Sequence, residues 1–357
     1  MTMKAVQFHK RKDVRVVSIP EPECQPGEVK IKPAFVGICG TDLHEYTSGP
    51  VLIPEKPHTI TNTKIPVTLG HEFSGTVIDV GEGVHHLTKG QRVVVRPTIY
   101  DKTCCSCKGK AYHCCDNIGF IGLSGYGGGM AEYMTAPADH FYCIPDSISF
   151  DIGALVEPLA VAWHAVHLSP FKAGDTTVVV GGGPIGISIV QVLKLKGAKQ
   201  IIVVEPVKNR QRLASEFGAD KILDPGDSTN ISESIRALTE DVGADVILDT
   251  AGVEKALNSI IPACRTHASI INIAVWEKRP QVDLNKLMYN EVNFTGAALY
   301  DEQAFVDVIQ ALASGELDPK RMITSKIEID DVVDQGLEAL IRDKEHHCKV
   351  LINVGAG

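Results

Sequence analysis

The chain has 357 residues, 44% of them hydrophobic and 22% charged, with a formal net charge of -9 and an isoelectric point near 5.8. That length exceeds what a single hydrophobic core usually spans, so two domains are expected, and the acidic balance disfavours nucleic acid or an anionic membrane as partner. The opening MTMKAVQFHKRKDVRVV lacks the uninterrupted apolar core of a signal peptide, and no run reaches the roughly 18 apolar residues of a membrane span, so a soluble cytoplasmic protein is expected.

In chain order, VRVVSI and VKIKPAFVG are short β-rich runs punctuated by Pro and Gly, followed by FSGTVIDVG and QRVVVRP, which together predict a largely β domain. Between these runs, GICGTD carries Cys39 and LGHEFSG carries His71 and Glu72. Thiolate, imidazole and carboxylate are a donor set suited to zinc, although each residue alone fits an ordinary core position equally well, and spacing does not decide between the two readings.

Five of the ten cysteines fall in KTCCSCKGKAYHCC. Cys104 and Cys107 form a C-x2-C pair, Cys115 follows after seven residues, and Asp101 stands three positions before Cys104. So dense a group of thiols in one short loop reads as a structural zinc site rather than a disulfide framework, with Cys105 or Cys114 as alternative ligands.

From about residue 160 the rhythm changes. TTVVVG, the helix-like IGISIVQVLKLKG, QIIVVE, the helix-like NRQRLASEFG, KILD, DVILDT, SIINIAV and VNFTGAAL alternate strand with helix, which predicts a parallel, doubly wound sheet. Gly181, Gly183 and Gly186 form G-x-G-x-x-G between the first strand and the first helix, the context that makes this pattern a dinucleotide site. Glu205 ends the next strand, nineteen positions after Gly186. A carboxylate there accepts the adenosine ribose hydroxyls and repels a 2′-phosphate, which favours NAD, while Lys208 and Arg210 nearby are candidates for binding a phosphate. In the tail, DEQAFVDVIQALASGE and VVDQGLEALIRD read as amphipathic helices, SKIEID and CKVLINV as strands.

Taken jointly and in this order, GICGTD, GHEFSG, VGEGV, the cysteine loop, EPLAVAWHAV and GGGPIG resemble the zinc-containing medium-chain dehydrogenases over essentially the whole chain. Within that family, LHEYTSGPVLIPEKPHTITNTKIPVTLGHEFSG and GFIGLSGYGGGMAEY resemble members acting on small vicinal diols. The resemblance implies an α/β protein: a GroES-like β-rich catalytic domain over 1–155, a Rossmann domain over 156–297, and a segment over 298–357 returning to the catalytic domain. It places Pro184 and Ile185 with the three glycines and Arg210 at the NAD site, and catalytic zinc on Cys39 and His71. Glu157 of EPLA stands at the position of a third ligand and Glu72 is the alternative or exchanging one. The family's structural site has four cysteines, and Asp101 departs from that pattern at its first position. The resemblance further implies proton transfer from Thr41 through the nicotinamide ribose and His44 to solvent, with Asp42 steadying His71, a small diol or hydroxyketone as substrate, and a homodimer or homotetramer.

Overall fold

The computed structural model describes all residues except 228, 229, 277, 344, 356 and 357. The chain divides into two units, Met1–Glu157 with Phe305–Gly315 and Ile323–Gly357, and Pro158–Ala304 with Glu316–Met322.

In the first unit, a seven-stranded sheet runs in the order Phe141–Cys143, Arg92–Val95, Glu72–Val80, Glu28–Gly37, Lys349–Asn353 and Ile323–Glu328, with Met134–Pro137 pairing separately to Glu28–Gly37. Pro33 lies inside the central strand Glu28–Gly37, a position that ordinarily breaks a ladder. Register shifts flank it at Pro33/Phe35 and Lys30/Ile31, so the strand accommodates the missing N–H at a bulge. One consequence of this pairing matters for the site. Gly37 faces Glu72 on one side and Leu351 on the other, so three distant stretches of sequence meet at one end of the sheet.

The second unit is built on six parallel strands ordered Lys221–Leu223, Gln200–Val204, Thr176–Val180, Ala244–Asp249, Cys264–Asn272 and Asn293–Gly296. This is the strand order of a dinucleotide-binding doubly wound sheet, with its topological switch beside Thr176–Val180. Alternate residues feed two separate cores: Val178, Val180, Ile202 and Ile247 pack in one, and Val179, Ile201, Val203 and Leu248 in the other. Burial on both faces explains why these strands are near-continuous apolar runs rather than alternating ones.

The stretch VVDQGLEALIRD, expected to be an ordinary amphipathic helix, is instead π-helical over Val332–Glu338 and α-helical only over Ala339–Arg342. At Gly336 an added Cβ would come 2.6 Å from Ile38 Cδ1, so a close approach to the sheet accompanies the widened turn. Among the described residues, no helix is long and apolar enough to cross a membrane.

Candidate functional site

Cys39 is the N-cap of the helix Gly40–Ser48, and Asp42 lies at its third position. The Asp42 carboxylate reaches back, Oδ2 accepting from the Cys39 N–H at 2.9 Å, while Oδ1 stands 3.8 Å from His71 Nδ1. One fully buried aspartate thus stands between two residues that are far apart in sequence, hydrogen-bonded to Cys39 and near His71 without a hydrogen bond to it. Thr41 is in the same first turn, its Oγ1 accepting from Cys39 Sγ at 3.6 Å. His44 follows three residues later, half-buried and on the same helix face as Thr41.

Cys39, His71 and Glu72 place one ligand atom each within 4.8 Å of one another. Ligands about 2.0 to 2.3 Å from a tetrahedral zinc lie roughly 3.5 Å apart, so the trio suits such an ion. The electrostatics agree. Burial works to lower the pKa of His71, yet Asp42, Cys39 and Glu72 outweigh it and raise the imidazole above its ordinary value, while burial raises Asp42. Acidic groups crowded around one buried imidazole concentrate negative charge that a bound cation would offset. Glu157, buried in the first turn of the helix Val156–Leu168, stands outside the trio.

Reading the sequence missed Lys349. It is 2% exposed, and its Nζ donates to Glu72 Oε2 at 2.5 Å and to the Ile38 carbonyl at 3.2 Å. Burial opposes the ammonium, but Glu72, Cys39 and Glu157 outweigh it and raise its pKa. The available signal was a lysine opening the apolar strand KVLIN, since a charge in a buried run needs a partner.

The cysteine loop gathers Asp101, Cys104, Cys107 and Cys115 within the same 4.8 Å limit, whereas Cys105 and Cys114 are exposed and outside the group. Asp101 Oδ1 accepts from the Thr103 and Cys104 N–H groups at 2.7 and 2.9 Å, and Oδ2 from Asn117 Nδ2 at 2.8 Å. These bonds, the Cys104 backbone first, hold its carboxyl well below the usual range. Burial, then the Cys104 and Cys115 thiols, pushes Cys107 up to about 12. Thiols that compete this way for protons are relieved by a shared cation, so the four donors fit a zinc ion. Two zinc ions per chain are therefore expected from elemental analysis of active protein. Asp101→Ala should weaken retention of one of them by roughly 100-fold or more, beyond the 10 to 100-fold typical of groups that only support a ligand, while turnover changes little. A single zinc in fully active protein would rule this assignment out.

In the second unit, Gly181 has φ +97°, and Gly186 abuts it so closely that any Cβ would strike the Gly181 carbonyl. Gly183 caps the helix Pro184–Leu195, with Pro184 and Ile185 opening it, so the first N–H groups are directed at the turn. Glu205 is 3% exposed, and its Oε2 and Oε1 accept from the N–H groups of Gly182 and Val207 at 2.5 and 2.7 Å. It thus braces the glycine turn while retaining lone pairs for a further donor. Arg210 lies against the turn, 3.9 Å from where a Gly183 Cβ would be, and its buried Nε has no hydrogen-bond partner among the described residues. Lys208 instead donates to Asp224 and Asp227 at 2.7 and 3.3 Å.

Comparison with known proteins extends this picture. Residues 25–146 match the family described as alcohol dehydrogenase GroES-like domain, and residues 184–314 the family described as zinc-binding dehydrogenase. The chain is 40% identical over 351 residues to an (R,R)-butanediol dehydrogenase of Bacillus subtilis, covering 98% of this chain and 99% of that protein. It is 39% identical over 354 residues to one of Neisseria gonorrhoeae, covering 98% and 99%. The crystal structure of 2R,3R-butanediol dehydrogenase from Bacillus subtilis superposes with a TM-score of 0.92 at 40% identity, covering 98% of this chain and 99% of that one.

Proposed function

From the premise that this chain belongs to the zinc-dependent medium-chain alcohol dehydrogenases, we propose that it interconverts (R,R)-butane-2,3-diol and acetoin with NAD. The observation that carries the reading is the half-buried Cys39 and buried His71 with a carboxylate beside them and the Thr41 hydroxyl next to Cys39. The diol itself is supported by the two butanediol dehydrogenases similar over nearly the full chain. A sorbitol, other polyol or threonine dehydrogenase is the second reading, sharing the same motifs and differing in the shape of the substrate pocket.

When bound by Cys39, His71 and a carboxylate, zinc supplies Lewis acidity that lowers the pKa of the substrate hydroxyl, and the nicotinamide supplies the hydride acceptor. The rest falls to side chains of this chain. As Thr41 Oγ1 takes the substrate's hydroxyl proton it releases its own, which His44, one turn along, passes toward solvent. Asp42 keeps the His71 ring oriented and its distal nitrogen turned to the carboxylate. NADH absorbance measured across a panel of diols, polyols and threonine tests the assignment. Turnover of sorbitol or threonine well above every four-carbon diol would transfer it to the second reading.

Preference for NAD rests on Glu205, whose buried carboxylate lies against the glycine turn. Glu205→Ser should narrow the preference over the 2′-phosphorylated cofactor by roughly tenfold or more, since a hydrogen bond to a charged group contributes about 1.5 to 3 kcal/mol. Because Glu205 also braces Gly182, KM should rise for both cofactors. Equal kcat/KM for the two in the unaltered protein would contradict the preference.

A further inference from the structure

The helix Gly40–Ser48 carries Thr41 and His44 on one face and buries Tyr46 on another, about 200° around the axis from His44. Tyr46 is 5% exposed, and its hydroxyl donates to Glu338 Oε1 at 2.7 Å. Glu338 ends the π-helical turn Val332–Glu338, whose Val332 and Leu337 pack in the same core as Tyr46 and Ile38. A segment 292 positions on in sequence thus grips the rear of the helix. Gly336 of the same turn lies against Ile38, directly before the N-cap Cys39, so the turn meets the helix near its start and again at its end.

Lys12 closes the grip. Its ammonium stands 4.3 Å over the Tyr46 ring and 3.3 Å from Glu338 Oε1, and its N–H donates to the Tyr46 carbonyl at 2.8 Å. Arg342, largely exposed, pairs with Glu338 Oε2 at 3.0 Å. Burial, then the bond to Glu338, pushes the Tyr46 phenol up to about 12, and that bond lowers the Glu338 carboxyl, so donor and acceptor keep their roles at neutral pH. A phenylalanine would fill nearly the same volume; what the hydroxyl adds is direction.

We propose that Tyr46 and Glu338 are positioning residues for proton transfer, their hydrogen bond fixing the rotation of the helix Gly40–Ser48 so that His44 is aimed at the Thr41 hydroxyl. The inference rests on the relay through Thr41 and His44 given above. Asp42 holds the first turn through the Cys39 N–H, so release of Tyr46 moves the later part of the helix, with His44, more than it moves Cys39. Transfer of the proton suffers while the seat of the substrate is spared.

The test reads kcat for diol oxidation together with the ring signals of isotope-labelled histidine in the whole protein, the His44 signal being the one lost in His44→Ala. Tyr46→Phe should shift that signal and lower kcat by roughly 10 to 100-fold, the cost of a small misplacement, with KM for the diol little changed. Glu338→Leu should do the same, whereas Glu338→Gln keeps an acceptor for the phenol and should restore most of the rate. Arg342→Ala removes only an exposed ion pair and should leave kcat unaltered. In the His44→Ala background Tyr46→Phe should cost nothing further, because the group it aims is gone. An equal loss in that background, an unmoved His44 signal or an unchanged kcat in Tyr46→Phe would overturn the proposal. Should Tyr46→Phe not fold, Glu338→Leu and Glu338→Gln decide by the same criteria. His44→Ala separates the two levels. If it leaves kcat unchanged at neutral pH, the relay reading fails; if it slows oxidation while the Tyr46 and Glu338 variants are silent, only the present inference fails.

Discussion

Replacing His44 by alanine is expected to slow oxidation of a secondary alcohol by roughly 10² to 10⁴-fold, the span of general acid–base assistance. The expectation follows from local geometry. Thr41 and His44 are three residues apart on the helix that Cys39 caps, so their side chains share a face and the hydroxyl beside Cys39 has a basic neighbour one turn away. Without the imidazole, the proton must leave by water, and its departure should ease as hydroxide becomes available. Part of the lost rate should thus return at high pH, where kcat of the variant and the unaltered enzyme converge. A structural role for His44 predicts a loss independent of pH. Unchanged kcat at neutral pH would mean that the proton takes another route.

Butan-2-ol should be a far poorer substrate than (R,R)-butane-2,3-diol, by well over the roughly 10 to 200-fold that a missing methylene alone can account for. The two molecules have the same carbon skeleton and differ by the neighbouring hydroxyl. A site built to receive that hydroxyl leaves its own polar group unpaired when the hydroxyl is absent, and this penalty exceeds a loss of apolar contact. A carboxylate beside the metal, Glu72 or Glu157, is the candidate partner. The ratio of kcat/KM for the two alcohols measures the effect directly. A ratio no larger than about 200-fold, within the range of mere fit, would remove the case for a hydroxyl-specific contact.

Much of the second unit is legible in the sequence, because its signals are local. A parallel strand buried on both faces must be apolar throughout, as TTVVV, QIIVV and DVILD are, and a glycine turn between strand and helix needs three glycines at fixed offsets. The cysteine loop is legible for the same reason, since Asp101, Cys104, Cys107 and Cys115 lie within one short segment and chain connectivity alone keeps them close. The widened turn at Val332–Glu338 is not, because an apolar period near 3.6 does not distinguish an α-helix from a π-helix whose geometry accompanies a close approach to Ile38.

Residue types and spacing thus determined the donor chemistry, the dinucleotide turn and the alternation of strands and helices. Which donors meet was decided by strand pairing. Glu72 and Lys349 are 277 positions apart, and no periodicity relates them. They touch because the C-terminal strand inserts beside Glu28–Gly37 and Gly37 leaves room for the Glu72 carboxylate. The same holds for Asp42, which the fold makes the third residue of a helix and brings within 3.8 Å of His71. Local hydrogen bonding and side-chain periodicity are written into neighbouring residues, whereas the partner of a buried charge is fixed only when distant strands come into register.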